Sequence, residues 1–133
     1  MKTGKVFFSI FLFFVILSCQ DNIIEFDNKS LTIYSKHGFI ISYLNVDLEM
    51  SEQAFTILKK DGAVGNYKIK LDSIDNDYYI VKNNKEFSLV NTNNVYKKIP
   101  ILPNEEYIIT NVSEGDATPS KVVFRTDNIG KVK

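Results

Sequence analysis

Cys19 is the only thiol in a chain of 133 residues, and His37 is its only imidazole. A nucleophilic cysteine needs a base within reach, and a zinc site needs several nitrogen or sulfur ligands. One of each assembles neither. His37, next to Gly38, reads as a turn residue. The remaining candidates for chemistry are carboxylates. Asp72, Asp75 and Asp77 cluster in one short stretch, but their spacing is not the Asp-x-Asp-x-Asp-Gly of a calcium loop. A solvated turn is the simpler expectation, with weak calcium binding as the functional one. Glu105 or Glu106 meeting Asp116 across strands would supply the paired carboxylates of an envelope hydrolase, or the acidic loop of an enzyme inhibitor. No nucleophile with a base, metal cage or phosphate loop is otherwise legible. The chain is therefore expected to be non-catalytic, with no cofactor and no metal.

Charge narrows the partners. Lys plus Arg and Asp plus Glu each number 16, so the net charge is zero. No basic field exists to attract nucleic acid, and Arg125 is the only arginine. With one cysteine no intramolecular disulfide can form, so the domain must be held by its core.

Cys19 has a different use. Lys2 and Lys5 precede an apolar run from Val6 to Leu17, broken only by Ser9. Those 12 residues would span about 18 Å as a helix. A bilayer core demands about 20 residues, and Asp21 and Asn22 stop any extension. A positive start before a short apolar core is the pattern of a cleaved signal peptide.

Ile16-Leu17-Ser18-Cys19 then resembles the lipobox of bacterial lipoproteins, in which an aliphatic residue and a small residue precede the cysteine. The resemblance implies cleavage between Ser18 and Cys19, a diacylglyceryl thioether on Cys19, and acylation of the new amine. Two or more acyl chains anchor firmly where one anchors marginally. In the Gram-negative sorting rule an Asp after the lipidated cysteine favours the inner membrane. Gln20 stands there, so the resemblance implies a lipid-anchored protein of the outer membrane, with the leaflet open. Four segments follow: a signal peptide over 1–18, a lipidated tether over 19–30, a folded domain over 31–126 and a tail over 127–133.

Alternation dominates the domain. Apolar Leu44, Val46 and Leu48 interleave with Asn45, Asp47 and Glu49, within a longer run from Phe39 to Met50 that should bend midway. Tyr67, Ile69 and Leu71 alternate with Lys68, Lys70 and Asp72 in the same way. Asp61-Gly62 between apolar runs predicts a hairpin. Phe87, Leu89 and Val95 to Ile101 offer further strands. Glu49 to Leu58 is the best helical candidate. Some eight short strands with turns at close spacing predict an all-β antiparallel sandwich.

Leu102-Pro103-Asn104-Glu105-Glu106-Tyr107 resembles the Leu-x-Pro-x-x-x-Tyr element of fibronectin type III domains, matched at Leu102, Asn104 and Tyr107 in a Leu-Pro-Asn-x-x-Tyr form with the proline one residue early. The resemblance implies an immunoglobulin-like sandwich in which Leu102 and Tyr107 form a tyrosine corner, the phenol bonding backbone upstream. It also implies that Lys121 to Thr126 is the last strand. The family's core Trp is absent, and Tyr43 or Phe39 would take its place.

Such sandwiches bind through end loops. The candidate partner-binding residues are Asp61, Gly62 and Asn66 in one loop and Glu114, Gly115 and Asp116 in another. The expected partner is a protein or a glycan. Tyr78 and Tyr79 are contact candidates too, but neighbours on a strand point to opposite faces, so one of them must face the core. Asp72-Ser73-Ile74 resembles the Asp-Ser/Thr-aliphatic acceptor of an O-glycosylation system of Gram-negative envelopes, which implies a sugar on Ser73.

Overall fold

The computed structural model describes residues 22–83, 96–113 and 119–133. Among them the regular structure is strand alone: β1 (Ile24–Asp27), β2 (Thr32–Ser35), β3 (Tyr43–Leu48), β4 (Gln53–Lys59), β5 (Lys68–Lys70), β6 (Tyr78–Asn83), β7 (Glu106–Asn111) and β8 (Ser120–Arg125). They form an antiparallel β-sandwich of a three-stranded sheet, β1-β2-β5, against a five-stranded one, β6-β4-β3-β7-β8.

Period-two alternation decides what is buried. Leu44, Val46 and Leu48 of β3 point inward with Ile57 of β4, Ile80 of β6 and Ile109 of β7. Ile24, Ile33 and Ile69 face them from the smaller sheet. Each such aliphatic side chain stabilises the fold by about 1.5–3 kcal/mol through burial.

An aromatic stack ties the two sheets together. Phe124 of β8 lies between Phe26 of β1 and Tyr107 of β7, with ring centroids 4.2 Å and 4.6 Å away and rings nearly parallel. Neither Phe39 nor Tyr43 takes the core position expected of them. Phe39 is exposed and Tyr43 is only half-buried.

Three expectations are corrected. The segment from Glu49 to Leu58 is not helical: it holds a turn and most of β4, because Phe55 and Ile57 reach the core only in an extended chain. Asp61-Gly62 does not close a hairpin. β4 pairs with β6 and β5 pairs with β2, so the loop carries the chain from one sheet to the other. The boundaries of the domain also differ. β1 lies inside the stretch expected as a tether, and Thr126 bridges Val132 in the expected tail.

The expected bend in the run from Phe39 to Met50 falls at Ser42. Ile41 bridges Asn66, beside the smaller sheet, whereas Tyr43 already pairs with Leu58 in the larger. The crossing shifts the alternation by one residue, so Ile41 is buried and Ile40 is exposed. The expected strands at Phe87 and Leu89 lie outside the described residues, and the described part of the one expected from Val95 to Ile101 holds an isolated bridge at Tyr96 and no strand. Tyr96 bridges Ile80, and the chain from there to Ile99 spans the sandwich edge, with Ile74 donating to Lys97 at 2.9 Å and Ile99 to Leu71 at 2.7 Å.

Candidate functional site

The strand directions gather the loops at two ends. At the first end the described chain enters at Asn22. Ile24 pairs with Ser35 there, and the Ser35 N–H donates to Tyr67 at 2.8 Å. Tyr43, Lys59 and Tyr78 also mark this end in the larger sheet, as do Asn111 and Ser120. Asp61, Gly62 and Asn66 therefore share an end with Ser113 and Pro119, which flank the second candidate loop. Glu114, Gly115 and Asp116 themselves lie outside the described residues.

The 61–66 loop is held from below. Gly65 has φ +76° and donates its N–H to Asp77 Oδ2 at 2.9 Å. A Cβ at Gly65 would come within 2.6 Å of Lys59 Cδ and 2.8 Å of Ile40 Cγ2, so only glycine lets these side chains close over the turn. Lys59 Nζ donates to the Ala63 carbonyl at 2.8 Å. The buried Tyr78 hydroxyl donates to Ile41 O at 2.6 Å and accepts the Asn66 N–H at 2.7 Å. Burial pushes the Tyr78 phenol above its ordinary value. These bonds fix a tight loop on which Val64 stands 82% exposed. Ser42, Tyr43, Lys59, Asp61 and Val112 line an open depression beside it.

Beneath the neighbouring loop is a polar cluster. Asn111 Nδ2 donates to Asn22 O at 3.0 Å, and Asn22 Nδ2 donates to Ser113 O at 2.5 Å. Ser113 Oγ donates to Asn111 Oδ1 at 2.6 Å while accepting the N–H groups of Ser42 and Tyr43 at 2.9 and 3.1 Å. This cluster fastens the entry of the chain to the exit of β7. Buried amides tolerate this only with partners, and each has them.

At the opposite end, Tyr107 and Glu105 organise the turn before β7. The fully buried Tyr107 donates its hydroxyl to Pro100 O at 2.9 Å and accepts the Leu102 N–H at 2.8 Å. Glu105 is 3% exposed. Its Oε1 accepts the N–H groups of Met50 and Glu106 at 2.7 and 2.9 Å, and its Oε2 that of Ser51 at 3.0 Å. Burial pushes this carboxyl up, but the N–H groups of Met50, Glu106 and Ser51 together with the Ser51 side chain outweigh it and hold it below its ordinary 4.5. Glu106 instead pairs with Arg125 Nε at the surface. Glu105 and Glu106 stand at the far end of β7 from Ser113, about 17 Å by strand length; the expected partner Asp116 is outside the described residues.

The remaining candidates disperse. Asp72 pairs with Lys70 at 3.6 Å, Asp75 Oδ1 accepts the Asp77 N–H at 3.0 Å, and Asp77 turns to Gly65. Among the described residues no group of three or more His, Cys, Asp or Glu side chains converges as a metal site. Ser73 is exposed in a turn after β5, and His37 is exposed beside Gly38. Ser18 and Cys19 lie outside the described residues. Of the tyrosine pair, Tyr78 is buried and Tyr79 is 43% exposed.

Two features were not anticipated. The Glu105 clamp could have been found from parity, since Glu105 shares the inward phase of Tyr107 and Ile109. The other is a cross-strand row, Tyr79–Leu58–Tyr43, on the outer face of the larger sheet. It forms because Ile57 and Leu44 take the inward positions. Comparison with known proteins gives no match to any family model, to any curated protein or to any solved structure.

Proposed function

We propose that this chain is a lipid-anchored protein of the bacterial outer membrane whose non-catalytic β-sandwich binds a protein or glycan partner, or serves as an accessory subunit of an envelope complex. The anchor rests on the short apolar run ending in Ile16-Leu17-Ser18-Cys19. Binding rests on one observation above the rest: the Tyr79–Leu58–Tyr43 row lies on the outer face of the larger sheet, with Tyr79 exposed and Leu58 and Tyr43 half-buried. Tyr is among the commonest anchors of partner contacts. The buried carboxylate of Glu105 is taken up by backbone N–H groups, which favours a structural use over acid–base work.

The sandwich is read as immunoglobulin-like, of the fibronectin type III kind. The Leu102–Tyr107 corner supports this reading, as does the strand order. β1-β2-β5 and β3-β7-β8 correspond to the A-B-E and C-F-G groupings of that class. On this reading β4 and β6 extend the second sheet.

Replacing the anchor residue tests the reading. In a Gram-negative host, Cys19→Ser should abolish incorporation of labelled fatty acid into the chain and leave residues 1–18 attached. Labelling that persists in the variant would count against it.

A further inference from the structure

The first end of the sandwich carries an apolar cluster that the core does not use. Phe39 and Ile40 are 37% and 44% exposed, Val64 is 82% and Tyr67 is 42%. Hydrogen bonds connect these positions to the entry of the chain. Lys36 N–H donates to Ile23 O at 2.9 Å, and Phe39 N–H to Ser35 Oγ at 3.1 Å. Ser35 joins Tyr67, and Ile41 joins Asn66. At the other end the exposed Met50 and Ile129 stand on separate turns. Around the cluster lie exposed Lys36, Lys60 and Lys68, with Lys68 Nζ 5.1 Å from the centre of the Tyr67 ring, and the carboxylates of Asp61, Asp75 and Asp77 stand at the same end.

Only Gln20 and Asp21 separate Cys19 from Asn22. Three Cα–Cα steps reach at most about 11 Å. The headgroup layer of a bilayer is about 5–8 Å thick on each side. A cysteine whose acyl chains enter the bilayer therefore holds Asn22, and the end around it, within or just above the headgroups. Apolar and tyrosine side chains settle at that depth, and lysines there meet anionic phosphates.

We infer that this end of the sandwich lies against the phospholipid surface. Phe39, Ile40, Val64 and Tyr67 enter the headgroup region, and Lys36, Lys60 and Lys68 face anionic headgroups. The inference rests on the lipid anchor proposed above and adds the orientation of the domain. The Glu105 end then points away from the membrane, and the outer face of the larger sheet stands beside it with the Tyr79–Leu58–Tyr43 row at the near rim.

The test uses full-length chain made in a Gram-negative host and extracted from its membranes. Mass spectrometry first reads the state of Cys19. Thioether formation there leaves an introduced cysteine as the only thiol. Val64→Cys and Ile129→Cys, both at highly exposed positions, each carry an environment-sensitive fluorophore in vesicles of phosphatidylethanolamine and phosphatidylglycerol. Nitroxide lipids labelled near the headgroup should quench the probe at position 64 severalfold more than the probe at position 129. Equal quenching on acylated chain, or stronger quenching at position 129, would overturn the orientation and leave the anchor standing. Unmodified Cys19 would overturn both.

Discussion

Glu105 Oε1 accepts the Met50 N–H at 2.7 Å, joining the start of β7 to the turn between β3 and β4. The carboxylate thus closes a turn whose N–H groups would otherwise lack partners, and it keeps its charge while nearly buried because three N–H groups converge on it.

A pH dependence follows. The folded carboxyl titrates below its unfolded value, so its contribution is complete above about pH 5 and is lost as pH falls through the folded value. In denaturant melts, Glu105→Gln should lose about 1–3 kcal/mol at neutral pH, because an amide donor now faces N–H groups. Its stability should also decline less than that of the parent on acidification. Parallel acid limbs for the two proteins would show that Glu105 is not the group responsible.

Two tyrosine hydroxyls serve as separate clamps. Tyr107 bonds Pro100 and Leu102, and Tyr78 bonds Ile41 and Asn66. Tyr107→Phe and Tyr78→Phe should each cost about 1–3 kcal/mol, since buried backbone groups lose a partner. The two share no partner, so the double variant should equal their sum within about 0.5 kcal/mol. A double-mutant cycle with strong coupling would contradict the picture of two independent ends.

Two glycines in one loop should respond differently to alanine. Gly62 and Gly65 share φ +76°, but a Cβ at Gly62 meets nothing within 4 Å. Gly62→Ala should cost the left-handed strain alone, about 1–2 kcal/mol. Gly65→Ala adds the crowding of Lys59 and Ile40, about 1–3 kcal/mol more. Equal thermal stabilities would mean that the side chains over Gly65 shift without cost.

Tyr79 separates binding from folding. It is an exposed side chain on an edge strand, so Tyr79→Ala should leave stability within about 0.5 kcal/mol. Photo-crosslinking from position 79 in intact envelopes should give a discrete adduct that Tyr43→Ala diminishes. Crosslinks equally abundant from Lys121 and from position 79 would remove the outer strip as the docking surface.

The alternation at Leu44, Val46 and Leu48 and at Ile69 and Leu71 was readable because one face of each strand is buried and the side-chain period is two. Sheet membership was not. Asp61-Gly62 has the local chemistry of a hairpin turn, yet the partner of β4 is β6, nineteen positions beyond Lys59 at its start, and that choice is made by packing. The crossing at Ser42 was legible only as a bend, because Ile40 and Ile41 are equally apolar and long-range pairing with Asn66 decides which is buried. Leu102 and Tyr107 stood out because the corner depends on residues close in sequence, whereas the apolar end gathers Phe39, Ile40, Val64 and Tyr67 from two loops that only the fold brings together.

We propose above that Cys19 is a lipid handle and the mature N-terminus. Intact-mass and peptide mass spectrometry of the chain extracted from bacterial membranes reads this directly. The expected first residue is Cys19, carrying a diacylglyceryl thioether and an acylated amine, with residues 1–18 gone. An unmodified Cys19, or a chain that retains those residues, would contradict it.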